Sequence, residues 1–190
     1  MNKFGAFLFR WRGIIGFIGF VSIWLLAQPN WSSILISMPF IFIGLFFRFW
    51  ANGYLGKDGR SNQITAKTLI TQGPYRFTRN PLYLGNFFLT AAVLIALQPS
   101  IYLIILILIL FLIEYSIIIK AEEDFLFNSY GNDYLNYCKT TGMIFPKSLR
   151  PRLSDNNQKF IFKNYLKEIQ TVVILLLIYG LIYLRMAMKT

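Results

Sequence analysis

Residues Ile101–Ile119, "IYLIILILILFLIEYSIII", hold nineteen consecutive positions with a single charge, Glu114. At ~1.5 Å per residue a helix of this length reaches across a ~30 Å hydrocarbon core. Four further apolar runs, Gly13–Ala27, Trp31–Phe47, Tyr83–Leu97 and Ile169–Leu184, share its character. Inside lipid every backbone polar group needs a partner within the protein, so such runs must be helical. They predict an all-α, polytopic membrane protein of one domain, with four to five transmembrane helices. The first four are expected to cross, and the fifth either crosses or lies in the interface. The lipid bilayer is therefore the first expected partner.

The basic residues give the expected orientation. Three Lys and Arg precede the first run, six lie between Arg48 and Arg79, and eight lie between Lys120 and Lys167, whereas the connectors "QPNWSS" and "QPS" carry none. The positive-inside rule puts the N-terminus and both long connecting segments in the cytoplasm. A net charge of +11 gathered on that side points to anionic lipid headgroups rather than to nucleic acid. The first run follows Lys3, Arg10 and Arg12 but has no small-x-small cleavage site after Ala27, so it is expected to stay as an anchor. Gly13, Gly16 and Gly19 recur every third residue, a spacing that predicts a close helix contact. One cysteine, Cys138, and no histidine exclude an intrachain disulfide. They also leave zinc ligation and a histidine triad without their residues, so no metal is expected.

Only "QPS" separates the third run from the fourth, which forces a tight helical hairpin over about 83–119 and brings residues 73–86 and 120–137 to one membrane face. The first of these segments reads "GPYRFTRNPLYLGN". Its prolines end helix propagation, its glycines permit turns, and Arg76 and Arg79 present forked donors at the interface. An aromatic and basic belt accounts for any one of these residues but poorly for all of them together. In the second segment Glu122, Glu123 and Asp124 stand in succession. If the helix ends as it leaves the bilayer, these acids oppose its macrodipole, a local conflict expected where partners compensate. Tyr130, Tyr134 and Tyr137 fall on one face if 129–138 is helical. Arginines suit a carboxylate or phosphate, acids suit an amine or ribose hydroxyls, and aromatic faces suit a base or a cation. S-adenosylmethionine combines these groups, and NADPH shares several of them.

The two blocks "GPYRFTRNPLYLG" and "EEDFLFNSYGNDYLNYCKTTGMIFP", set on either side of a helical hairpin, resemble the integral-membrane methyltransferases related to isoprenylcysteine carboxyl methyltransferase and the phospholipid N-methyltransferases. The likeness covers about 73–146, the expected catalytic core. It implies S-adenosyl-L-methionine as cofactor and a lipophilic small molecule or prenylated chain as acceptor. By the same resemblance Arg79, Glu122 and Glu123 are the catalytic candidates, and Tyr75, Asn80, Pro81, Tyr83, Gly85, Tyr134 and Tyr137 join them in the cofactor pocket. Arg76 and Glu114 are candidates for the acceptor side. Where that family has histidine this chain has Asn80, which cannot take a proton near neutral pH. A carboxylate acceptor is already ionised there and needs no base, so O-methylation is slightly favoured over N-methylation. A membrane-bound NADPH-dependent reductase of the sterol-reductase type, which shares an R-x-P-x-Y element, and a non-catalytic family member are the competing readings.

Overall fold

A computed structural model describes residues 3–55, 68–148 and 158–188. Six α-helices make up the described residues: α1 (Lys3–Leu26), α2 (Trp31–Leu55), α3 (Pro81–Leu97), α4 (Ile101–Tyr130), α5 (Asn132–Thr140) and α6 (Ile169–Ala187). Short 3-10 turns at Gly73–Arg76 and Phe162–Glu168 lead towards α3 and into α6. Phe7–Leu26 of α1, α2, α4 and the continuous Phe162–Ala187 segment are long and apolar enough to cross a membrane, while α3 is a shorter apolar helix. The fifth apolar run is thus one of the long helices, and the third is the short one.

Two short connectors close one end of the bundle. The Gln28 amide donates to the Leu97 carbonyl at 2.9 Å, and Asn30 Nδ2 donates to Gln98 Oε1 at 2.8 Å. Just below, Ser33 Oγ donates to the Ala96 carbonyl at 3.0 Å and the Tyr179 hydroxyl to Ser37 Oγ at 2.7 Å. Bonds of this kind tie helices together where apolar burial against lipid gives little driving force. They join α2 to α3 and to α6. The last helix is further held to α1, by Trp24 Nε1 on the Leu181 carbonyl and Arg185 Nη2 on the Leu25 carbonyl.

Close packing falls on glycines other than the expected ones. Built Cβ atoms at Gly13, Gly16 and Gly19 meet nothing within 4 Å, so the triplet makes no close helix contact. The close approach is between Gly44 of α2 and Gly85 of α3, where a Cβ on either would come within 3.0 Å of the other's carbonyl oxygen. Neither position leaves room for a side chain. The hairpin of α3 and α4 turns at Gln98 in the left-handed region, φ 46°, and is bridged by Tyr83–Tyr115 and Phe87–Phe111 ring contacts at 5.0 and 6.0 Å. Most of α3 nevertheless lies along α2. One face of α4, with Ile105, Ile109, Leu112 and Ile113, is exposed on the outside of the bundle, as a lipid-facing helix requires.

Candidate functional site

α4 does not stop where its apolar run stops. It continues through the acids to Tyr130 and ends at Gly131, whose φ of 51° suits glycine. Glu122 and Glu123 are therefore about two turns inside the helix, and the expected conflict with its C-terminal dipole is absent, because that effect falls off within the last turn. Gly131 also separates the tyrosines. Tyr130 ends α4, whereas Tyr134 and Tyr137 belong to α5.

The segment before α3 is pinned to the segment after α5. Thr78 and Gly142 form a parallel backbone bridge, and the Arg79 amide donates to the Gly142 carbonyl at 2.8 Å. Thr78 Oγ1 and Asn80 Nδ2 both donate to the Met143 carbonyl, at 2.9 and 3.1 Å. The Tyr137 hydroxyl donates to the Tyr75 carbonyl at 2.7 Å. A Cβ at Gly142 would lie 1.8 Å from the Phe145 carbonyl oxygen, so the return turn needs glycine. The two blocks quoted above are one structural unit.

Its centre is Arg79. The guanidinium reaches Glu123 Oε1 through Nε at 2.8 Å and Nη2 at 2.7 Å, and Nη1 donates to the Thr141 carbonyl at 2.7 Å. Burial works against its charge, but the hydrogen bond and charge of Glu123 outweigh that and hold Arg79 above its usual pKa. Glu122 lies beside the Tyr83 hydroxyl on the same cavity wall. Burial raises the phenols of Tyr75, Tyr134 and Tyr137, so all three are neutral donors at physiological pH. The Tyr134 hydroxyl, beside the Cys138 sulfur, has no nitrogen or oxygen partner.

These groups surround a cavity of about 420 Å³. Tyr75, Arg79, Asn80, Pro81, Tyr83, Glu122, Glu123, Tyr134 and Tyr137 all line it. Three candidates do not. Gly85 packs on α2, Arg76 donates to the Gln72 side chain, and Glu114 has a buried Oε1 without a hydrogen-bond partner. Among the described residues, no three His, Cys, Asp or Glu side chains are grouped as metal ligands.

The lining also includes residues that sequence reasoning missed: Arg12 of α1, Arg48 of α2, Asn86 of α3, and Gln170 and Thr171 of α6. Arg48 Nε and Nη2 hold the carboxylate of Glu168 at 2.8 and 3.1 Å, with Nη2 also 3.2 Å from Thr171 Oγ1. Asn52 donates to the same carboxylate, and Arg48 Nη1 to Asn86. Asn86 in turn donates to the Tyr115 hydroxyl at 3.0 Å. The available signal was that Arg48 is the single charge of Trp31–Leu55 and Glu168 the acid directly before the last apolar run, where a partner is required.

Comparison with known proteins fits this arrangement. The cobalt-zinc-cadmium resistance protein CzcN of Cupriavidus metallidurans is 26% identical over 144 residues, covering 72% of this chain. The match takes in 62% of that protein, so this chain spans less than two thirds of its relative's length. No solved structure matches. The family model for phospholipid methyltransferases matches residues 32–133, just over half of the chain, from α2 to the start of α5. An all-helical membrane protein with this match belongs to the phospholipid methyltransferase family.

Proposed function

We propose that this protein transfers a methyl group from S-adenosyl-L-methionine to a lipid-like or prenylated acceptor at the cytoplasmic membrane face, with carboxylate O-methylation favoured. The observation that carries this reading is the convergence of the Arg79–Glu123 pair, Glu122, Tyr83, Tyr134 and Tyr137 on one cavity at the head of an apolar bundle. The donor set fits that cofactor. Glu122 and Glu123 offer carboxylate oxygens to ribose hydroxyls or an ammonium, Tyr134 keeps a hydroxyl without a nitrogen or oxygen partner, and the tyrosine rings offer faces to a base. The volume lies within the ~300–1,000 Å³ usual for small-molecule pockets. When bound, the cofactor supplies a sulfonium methyl, whose C–S bond breaks, its electron pair staying on sulfur, as an acceptor lone pair forms the new bond.

The chain's residues then have mainly to align and to exclude water. Arg79 is fixed by Glu123 and Thr141, which makes it a rigid post rather than a mobile cation. Phe9, Leu126 and Ile174 supply apolar wall. Asn80 spends its amide on the Met143 carbonyl and acts as a positioning residue for the turn. No proton acceptor is needed from it if the acceptor is a carboxylate.

Calorimetric titration of the detergent-purified protein with S-adenosylhomocysteine, and in parallel with NADPH, tests the reading. Micromolar binding of S-adenosylhomocysteine alone is expected, and Glu122→Gln should abolish it. Glu122 is the better probe because Glu123 also holds Arg79. Binding of NADPH alone would move the protein to the reductases, and binding of neither would leave a non-catalytic member.

A further inference from the structure

The geometry points to Arg12 as the binding site for an anionic oxygen group, a carboxylate or a phosphate, on the head of the methyl acceptor. This rests on the methyltransferase reading only in calling the ligand an acceptor. Three arginines line the cavity. Arg48 is matched by Glu168 and Arg79 by Glu123. Arg12 has neither an ion pair nor a hydrogen bond among the described residues, and its Nη1 is buried without a partner. Its guanidinium lies over the Phe9 ring at 3.9 Å. An arginine near the end of a membrane helix ordinarily extends to the headgroups and water; this one is turned inward. A guanidinium with a buried, unpartnered nitrogen and no carboxylate at ion-pair distance is an attractor for an anion of the right size.

The position favours the acceptor over the cofactor. Phe9, whose ring lies under the Arg12 guanidinium, packs with Ile118 and Ile119 of α4. From Phe9 α1 runs on towards Gln28 at the opposite end of the bundle, so Arg12, about one turn further, stands below the Glu122–Glu123 level, on the bilayer side. Its neighbour Gly13 also lines the cavity, is exposed, and has nothing within 4 Å of a built Cβ. Trp11 and Ile14 beside it are exposed on the outside of the bundle. An amphiphile seated here passes its chain out beside Gly13 and leaves its head against Arg12. α1 lies outside the residues matched by the family model, so this cation is a property of the present chain rather than of the matched core.

Native mass spectrometry of the full chain from a neutral detergent, with equimolar laurate, dodecyl phosphate and dodecanol as probes, tests the site. Wild type should retain an anionic probe about tenfold over dodecanol, and R12Q should reduce that preference to about twofold or less. R12K should keep most of it, and S-adenosylhomocysteine affinity should be unchanged in both variants. Retention of laurate identifies a carboxylate head, and retention of dodecyl phosphate a phosphate. Equal retention of all three probes by wild type would overturn the inference without recourse to a variant. So would an undiminished preference in R12Q, or a loss of S-adenosylhomocysteine binding there, which would assign Arg12 to the cofactor's own carboxylate. Wild type that binds no S-adenosylhomocysteine yet keeps an Arg12-dependent preference would remove the methyltransferase reading and leave the anion site standing.

Discussion

Arg48 of α2 grips Glu168 at the foot of α6 through two guanidinium nitrogens, at 2.8 and 3.1 Å, and the carboxylate is wholly withdrawn from solvent. Removing one partner strands the other as a buried charge, which costs about 3–5 kcal/mol. Glu168→Gln and Arg48→Gln should each lower the thermal denaturation midpoint in detergent markedly. The double variant should fall well short of the sum of the two. Additive losses would mean that the pair is not a unit.

The Gly44–Gly85 approach makes an independent prediction. A Cβ at Gly85 would lie 2.6 Å from Arg48 Cγ and 2.9 Å from the Gly44 carbonyl oxygen, whereas one at Gly19 meets nothing within 4 Å. Gly85→Ala should destabilise by about 1–3 kcal/mol, while Gly19→Ala should be neutral or slightly stabilising. Thermal melts of the two variants side by side decide it.

High pH should loosen the site. Burial raises the phenols of Tyr75, Tyr134 and Tyr137 above their usual range, with neighbouring Tyr137 and Glu122 adding to the effect at Tyr75. The unfolded chain releases these protons near pH ~10 while the folded chain keeps them, so the folded state binds more protons there and stability falls as pH rises. Their contribution is complete below about pH 10. Melting midpoints followed from pH 7 to 11 should decline at the alkaline end, and less steeply in Tyr137→Phe.

Arg79→Lys keeps the charge but not the fork. A lysine cannot reproduce the contacts to both Glu123 and the Thr141 carbonyl. Affinity for S-adenosylhomocysteine should drop by about 1.5–3 kcal/mol, with the midpoint of unfolding little changed. Undiminished affinity would detach the Arg79–Glu123 pair from the pocket.

The five apolar runs are legible as five helices because a chain in lipid has no other way to satisfy its backbone. Their ends are less so. α4 runs on from Lys120 to Tyr130 because that stretch holds alanine, leucine and glutamates and no proline or glycine until Gly131. Within the site, Arg79, Glu122, Glu123, Tyr134 and Tyr137 are legible as two spaced blocks. Arg12, Arg48, Asn86 and Thr171 are not, since they come from four helices and share no local motif. Glycine spacing misled in the same way. The regular triplet of α1 touches no other helix closely, and the pair that matters, Gly44 and Gly85, lies on different helices with no repeat to announce it.

The thirty residues of α4 amount to ~45 Å of helix, some 15 Å more than the hydrocarbon core needs. The surplus is a stalk that holds Glu122 and Glu123 at headgroup height. For the proposed reaction this places the chemistry on a phase boundary. A water-soluble donor arrives by diffusion in three dimensions and an oil-dissolved acceptor by diffusion in two, and they share a solvent only inside the protein. Turnover should then depend on the acceptor's density in the membrane, in molecules per unit area, rather than on its concentration in the assay volume.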